Sequence, residues 1–480
     1  MKIFIDFFEN YIFYYAVSLF ILYIILAISA FIAIRKYRKR NAHNDEQLLL
    51  DSSNAPFVSV IAPAFNEEKT IVVSVKSLLS LNYPNFEVVI VNDGSKDSTL
   101  DLLIKEFDLA PVDYHYIEKI KTNSFKRLYR SKDNKYSNLI VIDKDNIGAK
   151  ADALNAGINV SNYEHILCVD VDCVIERNAL LKLVKAMMDS ATPVIGVGAT
   201  LRMSNSCEVD INKGVITQVK PPKGILPRFQ EVEYLRSFLI SKMGWSSFNS
   251  IPNISGALGL YKKKIILECG GYNTKTLAED MDLVIRIASH MIETKQKYII
   301  KYIPISGSWT EGPANLKVLG RQRSRWATGL AQVLVNHRSK IFNYKYKRIG
   351  LVVLPNNLFF EFLAPIIEVV GISYFLISLI LGLANWPLLL FVLLFSCSFG
   401  LVLGSLAVLY DNLIESQYKR KRDNLKLFVL PFVEPFVYHP LLLYFSLLGF
   451  VRYLKLKEVN WGTMSRKGYK ESAEVIVTQN

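Results

Sequence analysis

Between Tyr11 and Ile34 the chain carries no charged residue, and this run has the length of roughly 20 residues that a helix needs to cross a hydrocarbon core. Arg35, Lys36, Arg38, Lys39 and Arg40 follow at once, a basic cluster of the kind that stays on the cytoplasmic face. Segment 1–40 therefore reads as an uncleaved transmembrane anchor with its amino terminus facing out. A signal peptide is the rival reading. Against it, the flanking residues set only Lys2 against Asp6 and Glu9, and no small-residue cleavage site precedes the basic cluster.

Hydropathy returns at the far end, where Leu351–Leu383, Leu388–Tyr410 and Leu425–Val451 are apolar; together with the anchor they explain 51% hydrophobic residues and a mean hydropathy of +0.22. The net charge of +14 is concentrated beside these stretches, at Lys345, Lys347 and Arg348, at Lys419 to Arg422, and at Arg452, Lys455 and Lys457. Basic residues so placed face anionic headgroups and fix topology. The partner they imply is the lipid bilayer and not nucleic acid. If the first two basic groups are cytoplasmic, the first two stretches form a hairpin turning near Asn385, Trp386 and Pro387. The third holds Pro431, Glu434, Pro435, His439 and Pro440, so a full span competes with an interfacial or re-entrant helix. Glu361, Glu368 and Glu434 sit within apolar segments, and such residues face a polar cavity, a partner or the headgroup level rather than lipid.

The chain between the two apolar ends alternates strand and helix patterns. After a polar linker (41–55), Phe57-Val-Ser-Val-Ile-Ala-Pro reads as a strand, and a helical period runs on to Leu81. Glu87 to Val91 repeats the strand, ending on Asn92 and Asp93, with a helix opening near Asp97. A basic, polar insertion (Lys119 to Asn138) precedes a strand at Leu139 to Ile142, a helix from Ala149 to Asn159, and a strand from Ile166 to Val169. That order predicts an α/β fold with a mostly parallel sheet, whose ligands lie beyond the carboxyl ends of the strands. The acids are found there. Alternation places Asp170 and Asp172 on one side of the chain just past a strand, where two hard oxygen ligands suit Mg²⁺ or Mn²⁺ with positions left for phosphate. Ordinary turns would also explain Asp170 to Asp172 and Asn92-Asp93-Gly94-Ser95. No G-x-G-x-x-G and no Walker-type loop occurs, so hydride transfer and nucleoside-triphosphate hydrolysis lack their usual cradle. Five Cys without metal-ligand spacing read as reduced core residues of a cytosolic domain.

Pro-Ala-Phe-Asn-Glu-Glu (63–68), Asn-Asp-Gly-Ser (92–95), Lys-Ala-Asp-Ala-Leu-Asn (150–155), Asp-Val-Asp (170–172), Ser-Gly-Ala (255–257), Glu-Asp (279–280) and Gln-Arg-Ser-Arg-Trp (322–326) follow one another in order. This set resembles the membrane-embedded, processive family-2 glycosyltransferases, the group of poly-N-acetylglucosamine, hyaluronan, chitin and cellulose synthases. The resemblance covers about Pro56 to Trp326. It implies a GT-A-like nucleotide-sugar-binding domain (56–338), a membrane region (339–456) and a cytosolic tail (457–480), placed in the plasma (inner) membrane with the catalytic domain cytoplasmic. It implies inverting, processive transfer from a UDP-sugar donor to a polysaccharide acceptor, with an accessory export subunit as a further partner. Among the products of that group, a poly-N-acetylglucosamine-type polymer is the one expected here.

By the same resemblance Asp93 contacts the uridine, Asn66, Glu67, Lys150 and Asp170 serve the donor, and Asp170 and Asp172 hold the metal. Asp280, with Glu279 beside it, is the general base, and Ser255, Gly256, Gln322, Arg325 and Trp326 serve the acceptor and diphosphate. The spacing of Gln322, Arg325 and Trp326 puts all three on one helical face; Arg suits diphosphate oxygens and Trp offers a platform for a sugar ring. Plainer readings stand beside these: a solvated Lys150, helix capping by Glu279, Asp280 and Asp282, and an interfacial helix for Arg325 and Trp326. The family more often has two glycines before the lysine, where this chain has Asn146-Ile147-Gly148-Ala149, and often Thr where it has Ala278. Rival functions are a non-processive transferase adding one sugar to a lipid, and a transporter component whose soluble domain only binds nucleotide.

Overall fold

The structure is a computed structural model that describes residues 2–41, 46–52, 54–415, 417–418, 420–455 and 468. Residues 42–45 and 53 of the expected linker, Lys419, Lys457 and, Gly468 apart, the expected tail lie outside the described residues. A ten-stranded mixed sheet organises the central part. Its strands are β1 (Val58–Ala64), β2 (Phe86–Asp93), β3 (Leu109–Val112), β4 (Phe125–Ser131), β5 (Leu139–Lys144), β6 (His165–Val169), β7 (Cys173–Ile175), β8 (Val194–Met203), β11 (Leu258–Lys262) and β12 (Ile299–Thr310); β9 (Glu208–Asp210) and β10 (Val215–Gln218) form a separate hairpin. The order across the sheet is β3-β4-β5-β2-β1-β6-β11-β8-β12-β7.

The expectation of parallel strands holds at the centre, where β5, β2, β1 and β6 run parallel, as do β8 and β12. Elsewhere β11, β7, β4 and β3 pair antiparallel. The central strands are buried on both faces, which is why they read as unbroken Val and Ile runs. Helices Ile71–Leu79, Thr99–Glu106, Lys150–Val160 and Ala179–Met188 fall where the periodicity placed them or where a strand needed a crossover. Two stretches expected to lack structure are ordered: Glu46–Leu50 is a short helix within the linker, and the basic insertion contains β4. In β4 only Leu128 and Tyr129 are buried, among exposed Lys126 and Arg127, so its strand pattern is diluted by charge.

Among the described residues four helices are long and apolar enough to cross a membrane: Glu9–Arg40, Ile349–Ile380, Trp386–Ile414 and Leu425–Lys455. The last runs unbroken through Pro431, Pro435 and Pro440, so the prolines do not divide it. The second is interrupted by π-helical turns at Ile349–Val353 and Asn357–Phe362 before Ala364–Ile380. A third π segment, Arg236–Lys242, continues the helix Ile225–Leu235 of the sheet domain. Such turns rotate side chains out of the regular helical stripe and occur at functional sites.

Ion pairs join the sheet domain to the apolar helices. Arg202 on β8, fully buried, donates to Glu231 Oε1 at 2.7 Å and also contacts Asp411, while Tyr418 donates to Glu231 at 2.7 Å. Arg236 grips Glu434 through two bonds of 2.9 and 2.6 Å. His439 pairs with Glu368 at 2.7 Å. Glu434 and Glu368 therefore have protein partners, and Glu361 faces the cavity described next.

Candidate active site

A cavity of about 790 Å³ lies beyond the carboxyl ends of the central strands. The loop after β1 brings Asn66 and Glu67 to it, the end of β2 brings Asp93, and the first turn of helix Lys150–Val160 brings Lys150. The turn after β6 adds Asp170 and Asp172, and the loop before β11 adds Ser255 and Gly256. Helix Glu279–Glu293 contributes Glu279 and Asp280, and helix Leu316–Asn336 contributes Gln322, Arg325 and Trp326. Every residue singled out from the sequence thus lines one space.

At the β2 end, sheet register sets Asp93 directly opposite Lys144. The fully buried Lys144 ammonium donates to Asp93 Oδ1 at 2.9 Å and lies 2.5 Å from Asp152 Oδ2. Burial pushes the Asp93 carboxyl up to about 6 against the pull of Lys144. Gly94 turns the chain with φ of +65°, and a Cβ there would fall 2.9 Å from the backbone nitrogen of Asn146, so neither the dihedral nor the space admits a side chain. Asn66, itself at φ 56°, accepts from Lys96 N at 2.8 Å, and Glu67 accepts from Thr70 Oγ1 at 2.8 Å. The Asn66–Lys96 bond, with that from Glu67 N to Thr99 Oγ1 at 2.8 Å, holds the loops after β1 and β2 together and shapes this wall.

In the middle of the cavity Lys150 contacts Asp170 and lies 3.7 Å from Glu279 Oε1. Burial alone would lower the Lys150 ammonium, but Asp170 and Glu279 outweigh it and hold the group above its ordinary value. Burial raises the Glu279 carboxyl, with Lys150 opposing and Asp280 adding to the rise. Asp280 accepts from the Gly256 nitrogen at 3.1 Å, Asn253 Nδ2 at 3.4 Å and its neighbour Met281 N at 2.7 Å. A Cβ on Gly256 would stand 3.2 Å from Lys150 Nζ, so the missing side chain lets the backbone reach Asp280 beside the lysine. Acid residues in the first turn also suit the helix dipole, and that placement puts both Glu279 and Asp280 in the cavity wall.

At the far end Gln322 and Arg325 are buried, and Trp326 is 39% exposed. Burial draws Arg325 below its ordinary value, opposed by Glu279, Asp170 and Asp280, the acids it faces. The Arg323 guanidinium lies 4.4 Å from the centre of the Trp326 ring and is itself fixed by two bonds to Glu233, at 2.6 and 2.7 Å. Tyr438, from an apolar helix, donates to the same Glu233 at 2.7 Å. Asn357, Glu361, Leu442, Ser446 and Phe450 complete the wall, so the sheet domain and the apolar helices share this cavity.

A model of the family "Glycosyl transferase family group 2" matches residues 165–448, and one of "Glycosyl transferase family 2" matches residues 59–208. The chain belongs to the family-2 glycosyltransferases. It is 29% identical over 297 residues to "Probable glycosyltransferase YdaM" of Bacillus subtilis, covering 61% of this chain and 60% of that protein. Over 298 residues it is 28% identical to "Poly-beta-1,6-N-acetyl-D-glucosamine synthase" of Staphylococcus epidermidis, covering 62% of this chain and 60% of that one. The match thus spans about 60% of the length of these curated relatives. The solved structure of a mannosyltransferase, PcManGT from Pyrobaculum calidifontis in complex with GDP-Man and Mn2+, superposes with a TM-score of 0.52 at 17% identity, covering 92% of this chain and all (100%) of that one. That likeness shows the GT-A fold.

Three features of this glycosyltransferase escaped the sequence reading. Lys144 is visible only once register sets β5 beside β2. Arg323 lies within the quoted Gln-Arg-Ser-Arg-Trp motif but points to the Trp326 ring from the neighbouring position. The π segments carry no sequence signal that sets them apart from ordinary helix. Among the described residues no group of three or more His, Cys, Asp or Glu is placed to hold a metal ion by itself. Asp170 and Asp172 line the cavity together, a donor set that fits Mg²⁺ or Mn²⁺ arriving with most of its ligands on a nucleotide diphosphate.

Proposed function

We propose that the chain transfers a sugar, N-acetylglucosamine as first choice, from a UDP-sugar to the growing end of a polysaccharide at the cytoplasmic membrane, with inversion. The observation that carries this reading is the shared cavity. Acids at the strand ends, the Glu279–Asp280 pair and the Arg325–Trp326 face converge in a space walled partly by apolar helices. The printed name of the staphylococcal relative supports the sugar and the polymer.

Asp280 takes the proton of the acceptor hydroxyl as its oxygen bonds to the anomeric carbon. The bond from that carbon to the diphosphate oxygen breaks, and UDP leaves with the electron pair. Asp93 accepts a hydrogen bond from the nucleoside. Lys150 and Arg325 face the charge that grows on the leaving diphosphate, in a secluded site where such charges are worth more than in water. Bound at Asp170 and Asp172, a divalent cation supplies further counter-charge to the diphosphate oxygens. Trp326, backed by Arg323, offers the acceptor sugar a flat surface.

Membranes holding the full chain, supplied in turn with UDP-N-acetylglucosamine, other UDP-sugars and GDP-mannose, test this. UDP release with label incorporated into a large product is expected from one UDP-sugar. A single-sugar lipid product would replace polymerisation by simple transfer, and no release from any UDP-sugar would overturn the reading.

A further inference from the structure

Lys242 has no part in the chemistry derived above, yet it lines the same cavity. It closes the π segment Arg236–Lys242 and is only 7% exposed. Its ammonium lies 4.5 Å from the centre of the Phe238 ring. Among the described residues it makes no side-chain hydrogen bond and no ion pair. Burial draws it down to about 8, and Asp280 is the one charged group that pulls the other way.

An ammonium taken out of water without a carboxylate beside it costs several kcal/mol, and a Met of similar length would fill the same space more cheaply. The Phe238 ring offsets only part of that cost, so the use of the charge lies in what enters the cavity. The cavity wall that Lys242 shares carries Ser237 and Ser241 on its own segment, Asn253 beside Asp280, and Asn357 and Glu361 on the π turn Asn357–Phe362. Lys150 and Arg325, the cations assigned above to the diphosphate, face Asp170 and Glu279 instead. Serines and asparagines in one wall with a donor-only cation, beside the acids Asp280 and Glu361 that would repel an anion, suit a neutral, oxygen-rich group.

We propose that Lys242 is an acceptor-positioning residue: its ammonium donates to an oxygen of the acceptor sugar and so holds the attacking hydroxyl against Asp280. This rests on the glycosyl-transfer reading and assigns the acceptor side of that same cavity.

The test uses the full-length protein in detergent or membranes with UDP-N-acetylglucosamine as donor and a short β-1,6-linked N-acetylglucosamine oligomer as acceptor. Lys242→Met should bind the donor within about twofold of the unaltered protein and release UDP by slow hydrolysis at an unchanged rate. Transfer to the oligomer should fall about a hundredfold, as for a misplaced reacting group, with the loss mainly in acceptor KM, and Lys242→Arg should recover a good part of it. The melting temperature of Lys242→Met should hold or rise, since a buried unpaired charge is gone. Equal loss of hydrolysis and transfer, a lowered melting temperature, or undiminished transfer would each overturn the proposal. If only a lipid-phosphate acceptor is used, and its transfer depends on Lys242, the neutral-sugar assignment is wrong and an anion site replaces it. Absence of UDP release from the unaltered protein would instead remove the glycosyl-transfer reading, and this assignment with it.

Discussion

Asp280 accepts bonds from both the Ser-Gly-Ala loop and its own helix turn, so its position is set by backbone rather than by substrate. Asp280→Asn keeps that shape and removes the proposed base. Transfer should fall by about two to four orders of magnitude, while calorimetry with UDP-sugar should find donor affinity nearly unchanged; loss of donor binding would make Asp280 a donor ligand. Asp93 gives a pH signature. Its carboxyl is lifted to about 6 by burial, so it is ionised above that pH and takes up a proton as pH falls through it. The protonated form is a poorer acceptor, so UDP-sugar affinity should weaken about tenfold for each unit below pH 6, and Asp93→Asn should be weak and flat across the range. A flat profile in the unaltered protein would remove Asp93 from the nucleoside.

At the scale of elements, helix Leu316–Asn336 presents a continuous face to the cavity: Gln322, Arg323, Arg325 and Trp326 all line it, and Arg323, braced by Glu233, stacks on the Trp ring. On the proposed acceptor role, Trp326→Ala should remove a sugar platform worth roughly 1 kcal/mol or more, by analogy with aromatic contacts, and shorten the proposed polymer seen by gel filtration while donor hydrolysis continues. Arg323→Met should do the same more weakly, since it frees the ring without deleting it. Undiminished chain length in Trp326→Ala would sink the acceptor role of this helix. The legible parts of the site were those whose signal is local: acids just past apolar runs, and i, i+3, i+4 spacing on a helix. Lys144 was not, because its meaning depends on which strand lies beside β5. Nor was Lys242, because a lysine in a helical stretch reads as exposed and only the packing of Phe238 and the apolar helices buries it. The prolines at 431, 435 and 440 left a full span and an in-plane or re-entrant helix both open, and the structure carries one helix through all three.

For the whole molecule the question is what keeps a sheet domain in register with the apolar helices that close its cavity. Arg202 is the centre of that junction: fully buried, it meets Glu231 of the sheet domain and Asp411 of the helix Trp386–Ile414, and it bonds Ser306 Oγ at 3.0 Å. A buried pair of this kind adds little net stability over an apolar replacement, but removing one partner leaves buried charge uncompensated at about 3–5 kcal/mol. Arg202→Ala strands two carboxylates at once. Its melting temperature in detergent should drop by several degrees. Transfer should also fall, because the wall formed by Asn357, Leu442 and Phe450 would lose its fixed distance from Asp280. Arg236→Ala strands one carboxylate, Glu434, in a partly exposed pair, and the same measurements should show a smaller drop. A triple change that removes charge on both sides, Arg202→Met with Glu231→Gln and Asp411→Asn, should restore much of the melting temperature. If Arg202→Ala melts and transfers like the unaltered protein, the junction is incidental and the cavity must be held closed by apolar packing alone.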